Sequence, residues 1–102
     1  MLFRIWRYDP GMDLEALPGG ELVAKGLADR AAGRETAESL LVEVAATKLR
    51  RLGFDVTTQS DEPAELRLYQ WLARQDPRRA HSRYNALLRQ LASFGRAARC
   101  AR

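Results

Sequence analysis

The sequence predicts a small all-α protein, a helical bundle of four main helices with a short extended or irregular N-terminal segment. Apolar residues recur at three- and four-residue steps through most of the chain, as on one face of a helix. Glycine, proline and capping residues separate these stretches at intervals typical of helix ends. With 102 residues, 46% hydrophobic and 29% charged, the composition is that of one folded domain. We therefore expect a single helical domain over residues 1–102.

The N-terminal segment is the least regular part of the sequence. Residues 1–8 alternate roughly between apolar residues and arginine, which is compatible with a short strand or with one helical turn. Asp9-Pro10-Gly11 indicates a turn, Asp13 can cap a short turn at residues 14–17, and Pro18-Gly19-Gly20 interrupts the chain again. Regular helix is expected only after this point.

The first helix is predicted to begin near Glu21 and to end at Gly33, which suits the left-handed conformation that closes many helices. Its apolar side contains Gly26, which permits close approach of another helix. The members of that side are Leu22, Val23, Gly26 and Leu27.

A second helix is predicted from Thr36, a suitable N-cap, to Leu52, with Gly53 as the stop. Its apolar surface is broad, so we expect this helix at the centre of the bundle. That surface comprises Leu40, Leu41, Val42, Val44, Ala45, Leu49 and Leu52. The following Phe54–Thr58 is expected to be a short extended piece that pairs with the N-terminal segment.

The third helix is expected to open at Asp61-Glu62-Pro63, because acidic residues and proline favour a first helical turn. Tyr69, Leu72 and Ala73 are predicted to face inward, with Leu68 and Trp71 on neighbouring sides.

The fourth helix has the clearest start signal, the pair Asp76-Pro77, and is predicted to run unbroken over residues 77–99. Its predicted inward stripe contains Ala80, Tyr84, Leu87, Leu88, Leu91, Phe94, Gly95 and Ala98. Its predicted outward line, here called the arginine row, contains Arg78, Ser82, Asn85, Arg89, Ser93 and Arg96.

Charge is unevenly distributed along the chain. The net charge is +4, and 15 of the 17 basic residues are arginine. Residues 74–102 hold eight arginines and one acid, Asp76, whereas residues 1–73 hold nine basic and twelve acidic residues. This asymmetry makes nucleic-acid binding through the arginine row an alternative function, with guanidinium groups on phosphates and Ser and Asn side chains adding hydrogen bonds.

Several chemistries lack the residues that they need. No glycine-rich loop precedes a Lys-Ser or Lys-Thr pair, and one His and one Cys do not make a zinc site or a His-based nucleophilic centre. His81 and Cys100 would lie about 28 Å apart on one helix. We therefore expect no metal and no cofactor, and a non-enzymatic role is favoured over an enzyme.

No apolar run approaches the roughly 20 residues of a membrane span, and charge interrupts the first residues too early for a signal peptide. A single cysteine forms no disulfide within the chain, which favours a reducing compartment. The expected location is cytoplasmic, without a membrane partner.

Arg74-Gln75-Asp76-Pro77-Arg78-Arg79-Ala80-His81 resembles the signature of the HEPN family of small helical nucleotide-binding domains and ribonucleases. In that family the Arg and the His line a cleft at a dimer interface. The resemblance implies that Arg74 would stabilise a scissile phosphate and that His81 would transfer a proton. A ribonuclease or antitoxin-type domain is therefore a second alternative.

Residues 47–54 also resemble the end of a recognition helix in winged helix-turn-helix proteins, although no turn glycine separates them from a preceding helix.

The favoured expectation is a non-enzymatic interaction protein that forms a homodimer or serves as an accessory subunit. Trp6, Tyr8 and Trp71 are large for so small a chain, and any that the core leaves exposed would mark an interface.

Overall fold

The computed structural model describes residues 14–56 and 61–101. These residues form a short 3₁₀ turn, Leu14–Ala16, and five helices: α1 (Gly20–Ala31), α2 (Ala37–Val44), α3 (Ala46–Arg51), α4 (Ala64–Gln75) and α5 (Ala80–Ala101). Within the described ranges there is no strand, so the predicted all-α class is confirmed. Phe54 forms a single β-bridge, but the pairing of residues 54–58 with the N-terminal segment lies outside the described residues, as do the expectations for residues 1–13, including Trp6 and Tyr8.

The crossing of α1 over α2 depends on Gly26, as its place on the apolar side of α1 predicted. A Cβ atom at this position would collide with the carbonyl oxygen of Glu38 and lie 2.5 Å from Cγ2 of Val42. The absence of a side chain therefore sets how closely the two helices approach. Gly33 ends this region with φ 76°, the left-handed conformation that the sequence indicated.

Thr36 caps α2 in the predicted way. Its hydroxyl accepts a hydrogen bond from the Ser39 N–H at 3.2 Å, and the Ser39 hydroxyl accepts one from the Thr36 N–H at 2.8 Å. This reciprocal capping box satisfies two backbone donors that the first turn of a helix leaves without partners.

The helix predicted from Thr36 to Leu52 is divided in two at Ala45, so the prediction of one continuous helix was wrong. Ala45 has φ −91° and ψ 9°, outside the helical range, yet hydrogen bonds continue on both sides of it. No proline or glycine lies near the break, and both Ala45 and Ala46 are buried. We attribute the interruption of the helix to tertiary packing rather than to local sequence.

The inward face of α4 differs from the prediction. Leu68 and Leu72 are fully buried, whereas Tyr69, predicted to face inward, is 37% exposed. Trp71 and Ala73 are partly buried against the core. The buried pair is spaced by four residues, so one narrow stripe rather than the broader predicted face enters the core. Pro63 occupies the N-cap position of α4 rather than its first turn.

Helix α5 begins at Ala80, three residues later than predicted. Asp76 ends α4 and organises the turn: its carboxylate accepts a hydrogen bond from the Arg78 N–H at 3.2 Å, and its carbonyl accepts one from the Arg79 N–H at 3.1 Å. The Asp-Pro pair therefore marks a tight connection between two helices, and α5 itself is unbroken.

The predicted inward stripe of α5 is largely correct. Five of its members are buried, namely Ala80, Leu91, Phe94, Gly95 and Ala98, and three are partly buried, namely Tyr84, Leu87 and Leu88.

Every residue of α2 except Glu38 and Val44 is buried, so α2 is the central helix of the bundle. None of the described helices combines the length and hydrophobicity that a bilayer crossing requires.

Candidate functional site

A buried carboxylate, Asp29, joins α1 to the start of α2. Asp29 is only 2% exposed, and it accepts hydrogen bonds from Lys25 at 2.7 Å, from the Thr36 hydroxyl at 2.7 Å and from Arg34 at 2.9 Å. These donors, the Lys25 ammonium first, hold the pKa of the Asp29 carboxyl far below its usual range. The carboxylate therefore stays ionised and links the loop of residues 32–36 to the body of α1.

Glu43 of α2 lies between two guanidinium groups. Its oxygens are 3.0 Å from Arg30 of α1 and 2.8 Å from Arg67 of α4, and Arg67 also contacts Glu35 at 2.9 Å. The side chains of Glu43, Arg30 and Arg67 are 8%, 15% and 19% exposed. Three helices therefore meet at one carboxylate.

A cleft of about 210 Å³ opens over this network, lined by Arg30, Gly33, Arg34, Glu35, Ser39, Glu43 and Arg67. Each of its arginines already contacts a carboxylate, so an incoming anion would have to displace an existing ion pair. The network therefore acts as a structural connection among α1, α2 and α4. Sequence reasoning missed it because Arg67 and Glu43 are 24 residues apart.

The arginine row is placed largely as predicted. Ser82, Arg89 and Arg96 are exposed on α5, Arg78 is exposed in the preceding turn, and Asn85 and Ser93 are partly buried. The guanidinium of Arg96 donates to the Ser93 hydroxyl at 3.3 Å, and the Asn85 amide pairs with the His81 ring at 3.2 Å. The row therefore presents cations and hydrogen-bonding groups to solvent along α5.

The arginines of this region differ from those of the network because, among the described residues, only one of them has a carboxylate partner. All seven arginines between residues 74 and 101 are exposed. Among the described residues only Asp76 lies within ion-pair distance of any of them, 3.9 Å from Arg79. Helix α5 itself contains no acidic residue. In the part of the chain that the structure describes, no ion pair other than that of Asp76 therefore offsets the positive charge of these arginines, and Glu21 lies nearby in the cleft beside Gln90.

A shallow groove of about 280 Å³ adjoins the arginine row. It lies between α5 and the turn at Pro18 and Gly19, and Ala86, Arg89, Gln90 and Ser93 complete its lining. Gly19 approaches α5 so closely that a Cβ atom there would lie 2.5 Å from the carbonyl oxygen of Gln90. No carboxylate of the described residues lines this groove, and Glu21 lines the adjoining cleft at Gly19 and Gln90.

An exposed apolar surface runs along the junction of α4 and α5. Leu66 and Tyr69 are 45% and 37% exposed, and the Tyr69 ring packs edge-on against Tyr84 with centroids 5.5 Å apart. Ala73 follows on the same face of α4 at helical spacing. We call Leu66, Tyr69, Ala73 and Tyr84 the α4–α5 seam. Sequence analysis had selected Trp71 instead, which packs partly buried against the core.

The two ends of the seam carry opposite charges. Exposed Asp61, Glu62 and Glu65 lie where α4 begins. Exposed Arg74, Arg78 and Arg79 lie where α4 ends and the chain turns into α5. The apolar residues therefore stand between an acidic end and a basic end.

Arg74 and His81, the residues of the HEPN resemblance, lie on either side of the connection between α4 and α5. Both are exposed, and neither lines the two clefts described above.

Residues 47–54, which resemble a recognition helix, form the six-residue α3 and its C-terminal turn, with Lys48 and Arg51 exposed. In the described part of the chain, no three His, Cys, Asp or Glu residues are grouped as metal ligands would be.

Comparison with known proteins adds no relative. No family model, no curated protein and no solved structure matches the chain. The HEPN resemblance therefore rests on its eight residues alone, and function must be argued from the surfaces described above.

Proposed function

We propose that this protein is a non-enzymatic interaction protein that forms a homodimer through the α4–α5 seam. The observation that carries the proposal is the exposure of Leu66 and Tyr69 beside Tyr84. Leu68 and Leu72 on the same helix are completely buried, so α4 fills its place in the core without the other two. An apolar surface that the fold does not need is the usual mark of an interface.

The charge at the two ends of the seam favours a second copy of the chain as the occupant. A two-fold axis through the seam pairs α4 with α4 of the partner in antiparallel orientation. In that arrangement the acidic residues where one α4 begins lie at the same end of the interface as the basic residues where the partner's α4 ends, and the reverse holds at the other end. The surface is thus complementary to itself in charge as well as in hydrophobicity.

The seam is small, because α4 has twelve residues and is about 18 Å long. An interface of this length falls in the class of weak associations, below about 1,200 Å² of total buried area. We therefore expect a dissociation constant on the order of 10–100 µM, equivalent to roughly 5.5–7 kcal/mol of binding free energy.

Sedimentation velocity between about 5 and 500 µM tests the proposal. The wild-type protein should change from monomer to dimer across this range. Leu66→Glu should remain monomeric, because it places a carboxylate in the centre of the apolar contact. Ala28→Glu, which adds the same group on the exposed side of α1, should associate like the wild type. A wild-type protein that is monomeric at 500 µM would refute the proposal.

Charge reversal tests the antiparallel arrangement. Glu65→Arg and Arg74→Glu each reduce the charge difference between the ends and should weaken association severalfold, as should added salt. Asp55→Arg, an equal change at an exposed site between α3 and α4, should have little effect. Stronger association of either seam variant would exclude the antiparallel pairing.

A further inference from the structure

The outward side of α5 is long and carries no carboxylate of its own, because none of the residues of this helix is acidic. The helix has 22 residues and is about 33 Å long. Arg89 and Arg96 lie on one line about 10 Å apart, because seven residues correspond closely to two turns. We infer that the arginine row is a binding surface for the phosphate backbone of double-stranded DNA.

The state of the guanidinium groups supports an external anion. Arg30, Arg34 and Arg67 direct their N–H groups to carboxylates within the protein. Arg89 has no such partner among the described residues, and Arg96 contacts only the Ser93 hydroxyl, at 3.3 Å. Exposed guanidinium groups without a carboxylate partner keep their N–H donors available for phosphate oxygens. They bind these oxygens in charge-assisted hydrogen bonds.

The groove beside the row offers a place for one phosphate group. Arg89, Gln90 and Ser93 all provide hydrogen-bond donors there, and the close approach of Gly19 to Gln90 keeps the opposite wall in position. A phosphate in this groove would contact a cation and two neutral donors. This is the mixture of groups that positions a protein on a nucleic-acid backbone.

The occupant is a duplex rather than a single strand. Proteins that bind single strands stack bases on exposed aromatic side chains, and the arginine row has none. The aromatic residues of α5, Tyr84 and Phe94, lie on the inward stripe, where Phe94 is 1% exposed. A continuous exposed helix also fits the wide major groove of B-form DNA, whereas the major groove of A-form RNA is deep and narrow.

A second copy of the chain does not fit this surface. Pairing two α5 helices along their rows would bring the arginines of both together without an acidic residue on either helix. Like charges in such an arrangement repel. The row is thus separate from the α4–α5 seam, and neither proposal depends on the other.

Fluorescence anisotropy with a labelled 20-base-pair DNA, at 25–200 mM salt, tests the inference. Three or four phosphate contacts predict a slope of about −3 in a plot of log association constant against log salt concentration. Arg89→Ala/Arg96→Ala should weaken binding at least tenfold at 50 mM salt. It should also reduce the slope by about 2, because each lost contact removes roughly 0.9.

Arg83→Ala/Arg99→Ala is the matched control, because it removes the same charge from exposed positions on α5 that lie outside the arginine row. Its affinity should stay within about twofold of the wild type, and circular dichroism should show that both variants are folded. Equal weakening by the two variants would show diffuse attraction and overturn the inference. The absence of binding at 25 mM salt would overturn it too, as would tighter binding to single-stranded DNA or to duplex RNA of equal length.

Discussion

Replacing Gly26 with alanine tests how the fold is built, because this substitution usually stabilises a helix. Alanine has a helix propensity about 1 kcal/mol more favourable than glycine. Here the added methyl group would overlap the carbonyl oxygen of Glu38 and lie 2.5 Å from Cγ2 of Val42. The backbone carbonyl belongs to α2 and has no rotamer that would move it away. The two helices must therefore separate or shift along each other.

The size of the effect follows from these two opposing terms. Separating α1 from α2 by about 1 Å also loosens buried neighbours such as Val23 and Leu27. Overpacking of this kind costs about 1–3 kcal/mol, and more where backbone must move. Subtracting the propensity gain of about 1 kcal/mol from the upper end of this range leaves a net loss of up to about 2 kcal/mol in the free energy of unfolding. For a domain of this size a loss of about 2 kcal/mol corresponds to a fall in Tm of roughly 8–16 °C.

Thermal and urea unfolding followed by circular dichroism measure this change, with Gly95→Ala as the matched control. Gly95 is also a buried helical glycine, but its added Cβ atom would meet only the flexible end of Arg99, 3.9 Å away. We expect Gly95→Ala to be neutral or to stabilise the protein by up to about 1 kcal/mol. If Gly26→Ala were as stable as Gly95→Ala, the proposed close crossing of α1 and α2 would be wrong.

Other substitutions test the cap, the buried carboxylate, the α4 face and the HEPN resemblance. Thr36→Ala should lose about 1–2 kcal/mol of stability through the N-cap, and Thr36→Ser should restore most of it, as chemical denaturation would measure. Because the folded-state pKa of Asp29 is lowered, its contribution to stability is present above about pH 4 and is lost as the pH falls further. The free energy of unfolding of Asp29→Asn should therefore fall less steeply between pH 5 and pH 2 than that of the wild type. Parallel curves of unfolding free energy against pH for the two proteins would contradict this. Leu72→Ala should cost about 2–5 kcal/mol, whereas Leu66→Ala should change monomer stability by less than about 0.5 kcal/mol. Similar losses for both leucines would show that the exposed and buried faces of α4 are wrongly assigned. If the HEPN resemblance reflects activity, His81→Ala should abolish RNA cleavage, and cleavage that is absent in the wild type or unchanged in the variant would remove that alternative.

Local signals in the sequence were sufficient for the helical class and for most helix ends. Thr36 and Gly33 act through hydrogen bonds and backbone angles within a few residues of themselves, so their roles could be predicted without knowing the fold. The outward position of Arg89 and Arg96 was also predictable, because helical periodicity relates them to the apolar stripe of α5.

Tertiary structure alone decided which charges are paired and which apolar side chains remain exposed. Arg67 and Arg89 look alike in the sequence, yet Arg67 meets Glu35 and Glu43 across helices, while Arg89 meets no carboxylate in the described part of the chain. Tyr69 and Leu68 are adjacent and both favour burial, but only Leu68 is buried in the core, whereas Tyr69 is 37% exposed. Such outcomes depend on contacts between residues far apart along the chain, and periodicity within one helix carries no information about them.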